Sequence, residues 1–133
     1  MPTVLDASAL IALLRRERGE DIVAELLKQR PPSCLAHAIN LCEVFYDFLR
    51  SDGEDVAVAA IDDLRTIGLG AREDMDEAFW RQAGKFKVHF RIPLADAIVV
   101  TLAERYGAEI VTADRGDFEQ VARAGICRVR FIR

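Results

Sequence analysis

The stretch Thr3-Val4-Leu5-Asp6-Ala7-Ser8-Ala9-Leu10 decides how this chain folds. Its opening residues form a short apolar run of the kind that makes a strand buried on both faces. From Ala7 to Arg15 the apolar residues recur at helical spacing, so a strand runs almost directly into a helix, with an acid at the junction.

The same alternation continues downstream. Helical spacing covers Gly19 to Lys28 and is stopped by Arg30-Pro31-Pro32, because proline lacks the amide donor and clashes with the preceding turn. Ser33 to Ala36 is the next expected strand, followed by a helix from about Ala38 to Leu49 that closes at Ser51-Asp52-Gly53. Residues 54–66 give an amphipathic helix with Val56, Ala60, Ile61 and Leu64 on one side, and Ile67-Gly68-Leu69 is a candidate third strand. Glu73 to Phe90 is helical in spacing, with Asp74, Asp76 and Glu77 in its first turns, where the helix dipole favours acids. After Pro93, Leu94 to Tyr106 is apolar nearly all round, as a helix in the middle of a domain is, and Gly107 ends it. Glu109 to Thr112 is a strand, Phe118 to Arg123 a short helix and Cys127 to Ile132 a last strand. Short apolar strands alternating with helices predict a mostly parallel sheet covered on both faces, with ligand sites beyond the carboxyl ends of the strands.

The bulk properties narrow the class of protein. A chain of 133 residues fits one domain spanning 1–133, with enough apolar content (51%) for a core. No apolar run reaches the ~18 residues needed to span a bilayer, so no membrane role is expected. The N-terminus lacks the basic, apolar and cleavage regions of a signal peptide, and a cytoplasmic protein is expected. Cys34, Cys42 and Cys127 form no CxxC pair and suggest neither a disulfide framework nor zinc, only buried, reduced thiols. A net charge of −4 argues against coating nucleic acid by bulk electrostatics and leaves room for an enzyme that meets phosphates through metal ions.

The acids divide by their surroundings. Glu17, Glu20, Asp52, Glu54, Asp55, Asp62, Asp63, Asp74, Asp76 and Glu77 stand among polar residues, and a solvated helix face explains them. Asp6, Glu43, Asp96 and Asp114 stand inside apolar flanks, as in Leu41-Cys42-Glu43-Val44-Phe45 and Pro93-Leu94-Ala95-Asp96-Ala97. A carboxylate there loses hydration and needs a basic partner, a helix N-terminus or a cation. Asp6 and Asp114 fall at the carboxyl ends of expected strands, Asp96 in the first turn of the buried helix, and Glu43 one turn into its own helix. With no Lys or Arg in the same segments, converging carboxylates repel, and a hard divalent cation relieves the conflict. Such ions activate water and hold a scissile phosphate, so no serine, cysteine or histidine nucleophile is required. Plainer explanations stand beside this one: Asp6 as a helix cap, Asp96 as a favourable first-turn charge. Glu43 is the hardest to explain without a cation.

Taken together, Val4-Leu5-Asp6-Ala7-Ser8-Ala9-Leu10, Asn40-Leu41-Cys42-Glu43-Val44, Pro93-Leu94-Ala95-Asp96-Ala97 and Val111-Thr112-Ala113-Asp114-Arg115-Gly116-Asp117-Phe118 give the chain a clear likeness. It resembles the PIN-domain ribonucleases, in particular the VapC-type toxins of toxin–antitoxin pairs. The resemblance implies a three-layer α/β/α fold and RNA cleavage dependent on Mg²⁺ or Mn²⁺. It assigns Asp6, Glu43, Asp96 and Asp114 to the acidic constellation, Asp117 to an additional ligand or supporting position, and Ser8, Asn40 and Thr112 to hydrogen-bonding support of the acids. It also implies a homodimer and a cognate antitoxin whose tail blocks the acidic pocket. Arg115 is a candidate RNA contact, with a plain surface role as the alternative.

Two other readings compete. One is a PIN fold that has lost catalysis and works as an RNA- or protein-binding module. The other is a phosphatase forming an aspartyl-phosphate, which wants a second Asp where Ser8 stands. His37 is expected to be a hydrogen-bonded surface residue and His89 a helix-end residue. Arg15, Arg16 and Arg18, and likewise Lys85, Lys87 and Arg91, read as solvated faces that would grip phosphates if they line the acidic pocket. Phe79 and Trp80 fit either a core or a dimer face.

Overall fold

Thr3–Leu5 forms β1, and Asp6 ends it by capping α1 (Ala7–Leu14), accepting the Ala9 amide at its side chain. The computed structural model describes residues 1–29 and 33–133. Beyond α1 come α2 (Glu20–Lys28), β2 (Cys34–His37), α3 (Ala38–Asp52), α4 (Glu54–Ile67), β3 (Gly70–Arg72), α5 (Glu77–Phe90), α6 (Leu94–Tyr106), β4 (Glu109–Thr112), α7 (Arg115–Ala124) and β5 (Val129–Phe131). The expected stop at Arg30-Pro31-Pro32 lies outside the described residues.

The strands lie in the order β3-β2-β1-β4-β5, and every pairing is parallel. Chain order therefore reverses across β1 and β4, the switch point at which open α/β sheets leave a crevice. Val4 pairs with Ile110 and Leu5 with Val111, so Asp6 and Thr112 leave the sheet side by side. Side chains alternate between the faces as the pleat requires. Leu5, Ala36 and Val111 pack under α1 to α4, while Val4, Leu35 and Ile110 pack under α5 to α7. The result is the expected three-layer α/β/α sandwich. α6 is buried without interruption from Ala97 to Ala103, in line with its all-round apolar sequence. Among the described residues no helix is long and apolar enough to cross a membrane.

Several boundaries differ from the sequence expectation. The third strand is Gly70–Arg72 rather than Ile67–Leu69. Ile67 ends α4, Gly68 turns left-handed at φ 114°, and the Leu69 amide closes back on the Leu64 carbonyl, so that stretch is consumed by the helix end. The buried stripe of α4 is Ala57, Ala60 and Leu64, and Val56, one residue off it, is exposed. α5 starts at Glu77, not Glu73, with Asp76 as its cap. α7 starts at Arg115, directly after Asp114, rather than at Phe118, and β5 shrinks to Val129–Phe131. Cys34 is buried, but Cys42 is exposed on α3, contrary to the expectation of buried thiols throughout.

Candidate active site

The carboxyl edge of β1 and β4 is built around Asp6, whose side chain is nearly sealed from solvent. The Ser8 hydroxyl donates to its Oδ1 at 2.7 Å, the Ala9 amide to the same oxygen at 3.0 Å, and the Thr112 hydroxyl to its Oδ2 at 2.6 Å. Both hydroxyl protons are thus spent on one carboxylate. In turn Ser8 Oγ accepts the Ala113 amide and Thr112 Oγ1 the Asp114 amide, each at 2.9 Å. Two small side chains therefore fix the turn between β4 and α7 against Asp6. Burial pushes the Asp6 carboxyl up to about 6; the bonds from Thr112, Ala9 and Ser8 oppose the rise, and the Asp114 charge adds to it.

Asp114 caps α7 by accepting the Asp117 amide at 3.2 Å, which brings the Asp117 carboxyl back toward it. Asp96, in the first turn of α6, completes the group. One carboxylate oxygen from each of Asp96, Asp114 and Asp117 lies within 4.8 Å of the others, and all three side chains are half-buried. Burial, a hydrogen bond to Asp117, and the charges of Asp117, Asp6 and Asp114 hold the Asp96 carboxyl well above the usual carboxylate range. Burial also raises Asp114, against the Asp117 amide and with the charge of Asp117. Carboxyls this close bond to each other only while one carries a proton.

Asp6 is not in this set of three within 4.8 Å, and neither is Glu43. Glu43 sits half-buried on α3, raised by burial alone, and the Asn40 amide donates to its Oε1 at 3.0 Å. Asn40 is buried, and its carbonyl oxygen has no hydrogen-bond partner among the described residues. His37 is buried too, not on the surface: Nδ1 accepts the Ile39 amide, capping α3, while Nε2 donates to the Asp74 carbonyl.

Among the described residues no Lys or Arg side chain bonds to Asp6, Glu43, Asp96, Asp114 or Asp117. Three close carboxylates, an all-oxygen donor set and no counter-cation fit a hard divalent ion. Sorting acids by their flanks missed Asp74. Its side chain is only 6% exposed, held by Arg72 and Arg105. The same rule would equally select Asp47, between Tyr46 and Phe48, which is spent on Arg15 and Arg50.

The PIN domain family model matches residues 3–124. No curated protein matches the sequence. Among solved structures, a toxin–antitoxin complex from Klebsiella pneumoniae is 20% identical over 98% of each chain, with a TM-score of 0.73. VapBC-1 from nontypeable Haemophilus influenzae is 18% identical over 99% of this chain and 98% of that one, with a TM-score of 0.74. VapC20 of Mycobacterium tuberculosis, described as a sarcin–ricin loop cleaving toxin, is 19% identical over 92% of this chain and 95% of that one, with a TM-score of 0.71. At these identities the likeness is one of fold.

Proposed function

The chain belongs to the PIN domain family, and from that premise we propose that it is a metal-dependent endoribonuclease, the toxin of a toxin–antitoxin pair. The observation that carries this reading is the meeting of Asp96, Asp114 and Asp117 beside buried Asp6 at the sheet's switch point, with no Lys or Arg bonded to them among the described residues. The VapC20 description, a sarcin–ricin loop cleaving toxin, and the toxin–antitoxin complexes among the similar structures support the toxin role and a cognate antitoxin as partner. A homodimer, a cytoplasmic setting and a single working unit over 1–133 complete the proposal.

Asp96, Asp114 and Asp117 would hold Mg²⁺ or Mn²⁺, with Asp6 lending the one lone pair on Oδ2 that its donors leave unspent. A bound divalent ion would polarise the phosphodiester and make a nucleophile of water near neutral pH. Asp6 is the fixed member, its two oxygens aimed by Ser8 and Thr112. Without an ion, burial and the neighbouring acids favour the protonated form of Asp96, and an ion bound there would release that proton. Glu43, oriented by Asn40 on the neighbouring helix, serves as an outer carboxylate that positions water at the rim of the cluster.

The test is cleavage of end-labelled single-stranded RNA by the purified protein with Mn²⁺, with Mg²⁺ and with chelator. Cleavage that needs the ion and disappears in Asp96→Asn is the expected result. Equal cleavage with chelator, or an active Asp96→Asn protein, would overturn the proposal.

A further inference from the structure

An acid cluster on a chain of net charge −4 repels the phosphates it is meant to receive, so cations must stand close by. Several arginines are already engaged in ion pairs. Arg15 is bound to Asp47 and Asp52 and lies over Phe48, and Arg72 and Arg105 are bound to Asp74 and Asp76. Arg115 differs. It stands between Asp114 and Asp117, in the turn that makes the cluster. Its Nε donates to the Arg133 carbonyl at 2.8 Å, and its guanidinium lies 4.6 Å over the Phe131 ring. One edge and one face are thereby fixed. Among the described residues the remaining Nη donors reach only Glu119 at 3.9 Å, too far for a hydrogen bond, and the side chain is 57% exposed.

The cationic surface extends from there by direct contact. The Arg133 side chain donates to the Arg18 carbonyl at 3.0 Å and pairs with Glu17 at 3.3 Å, both through Nη1, so its Nε and Nη2 take no partner among the described residues. Gly19, at φ +96°, lets the turn before α2 press against Ile132, whose carbonyl oxygen would stand 2.5 Å from any Cβ at that position. Arg18 is exposed on this turn and takes part in no ion pair among the described residues. The tightness of the Gly19–Ile132 contact makes the relation between turn and chain end fixed rather than incidental.

We infer that Arg115, Arg133 and Arg18 form a cationic rim beside the acid cluster that binds the backbone phosphates of single-stranded RNA. The inference rests on the nuclease reading of that cluster. Arg115, already immobilised on Phe131, loses little side-chain freedom on binding and holds the phosphate nearest the cluster. Arg133 and Arg18 take phosphates further along the strand. The rim contacts no base and adds affinity without sequence preference.

The experiment measures binding of a fluorescent single-stranded RNA oligonucleotide to the Asp96→Asn protein by anisotropy across a potassium chloride series. In that background, Arg115→Ala, Arg133→Ala and Arg18→Ala should each weaken binding roughly three- to tenfold and flatten the salt dependence by about 0.7 in log–log slope. Arg115→Lys should keep the parent slope, because the charge remains; a purely structural brace would not be rescued that way. Lys85→Ala, on the exposed side of α5, should change neither quantity. Parent-like affinity and slope in all three alanine variants would overturn the rim while leaving the nuclease reading intact. No binding by the parent would overturn both. Arg18 is a solvent-exposed turn residue, so its variant decides the matter even if Arg115→Ala fails to fold.

Discussion

Two groups of acids lie beyond strands of the same sheet, β3 and the β1–β4 pair, and behave in opposite ways. After β3, Asp74 accepts bonds from Arg72 at 2.9 Å, Arg105 at 3.0 Å and the Tyr106 hydroxyl at 2.7 Å. Burial pulls its carboxyl upward, but these donors outweigh burial and hold it far below the usual range. Asp76 follows it down, bound by both terminal nitrogens of Arg105. After β1 and β4, Asp6, Asp96 and Asp114 have hydroxyl and amide donors or each other, and all three are raised. The first group is complete in itself and ties β3 to α5 and α6. The second has no cationic partner among the described residues. The difference lies in the partners, not in the acids.

The sharpest break of this comparison is Asp96→Asn. RNA cleavage in Mn²⁺ should fall at least about a thousandfold, while the melting temperature in chelator stays level or rises because repulsion is relieved. A fall in both would place Asp96 with the structural group.

The pH dependence comes next. Asp6 binds a proton more tightly in the folded chain, near 6, than in the unfolded one, near 3.8. The folded state therefore holds more protons between those values, and metal-free stability falls as pH rises through that window, by about 3 kcal/mol at most for this group. Asp96 and Asp114 are raised as well and extend the decline. Asp74 has the opposite sign: its contribution is present above the ordinary carboxylate value and is lost on acidification. Urea midpoints in chelator from pH 4.5 to 8 should decline, and divalent ion should offset the decline. A curve that rises with pH in chelator would break the contrast.

Asp74→Asn should destabilise the fold by about 2 kcal/mol, a figure discounted because Arg72 and Arg105 are partly exposed. Metal-dependent cleavage per folded molecule should be unchanged, as urea denaturation and a cleavage assay together would show. The smallest effect is expected from Thr112→Val, which removes the donor to Asp6 and the acceptor for the Asp114 amide. It should cost about 1–2 kcal/mol and lower cleavage, and Thr112→Ser should restore most of both.

Much of this architecture is legible in the sequence where the physics is local. β1, α6 and β4 announce themselves because burial on all sides leaves no room for polar residues. β3 does not, since Gly70-Ala71-Arg72 carries no apolar signal and is a strand only through its pairing with β2. The start of α5 is misread because Asp74, placed by periodicity in a first turn, is instead held by Arg72, Arg105 and Tyr106. In the acid cluster, flanking residues single out Asp6, Asp96 and Asp114. Asp117 follows a glycine and an arginine, so its flanks do not select it and the family resemblance alone points to it; the fold adds that Asp114 accepts its amide. The bonds that aim Asp6 join residues more than a hundred positions apart, and only the folded sheet brings them together.

That separation has a bearing on the protein's synthesis. Asp6 leaves the ribosome 106 residues before the threonine that orients it. β4 in turn is anchored late, when the Ile132 amide reaches the Thr112 carbonyl. A partly translated chain therefore carries the first acid of the cluster without its hydroxyl donor, without Asp114 and without Asp117. The order of synthesis thus sets the order of assembly: the cluster exists only once β4 and the start of α7 have been made.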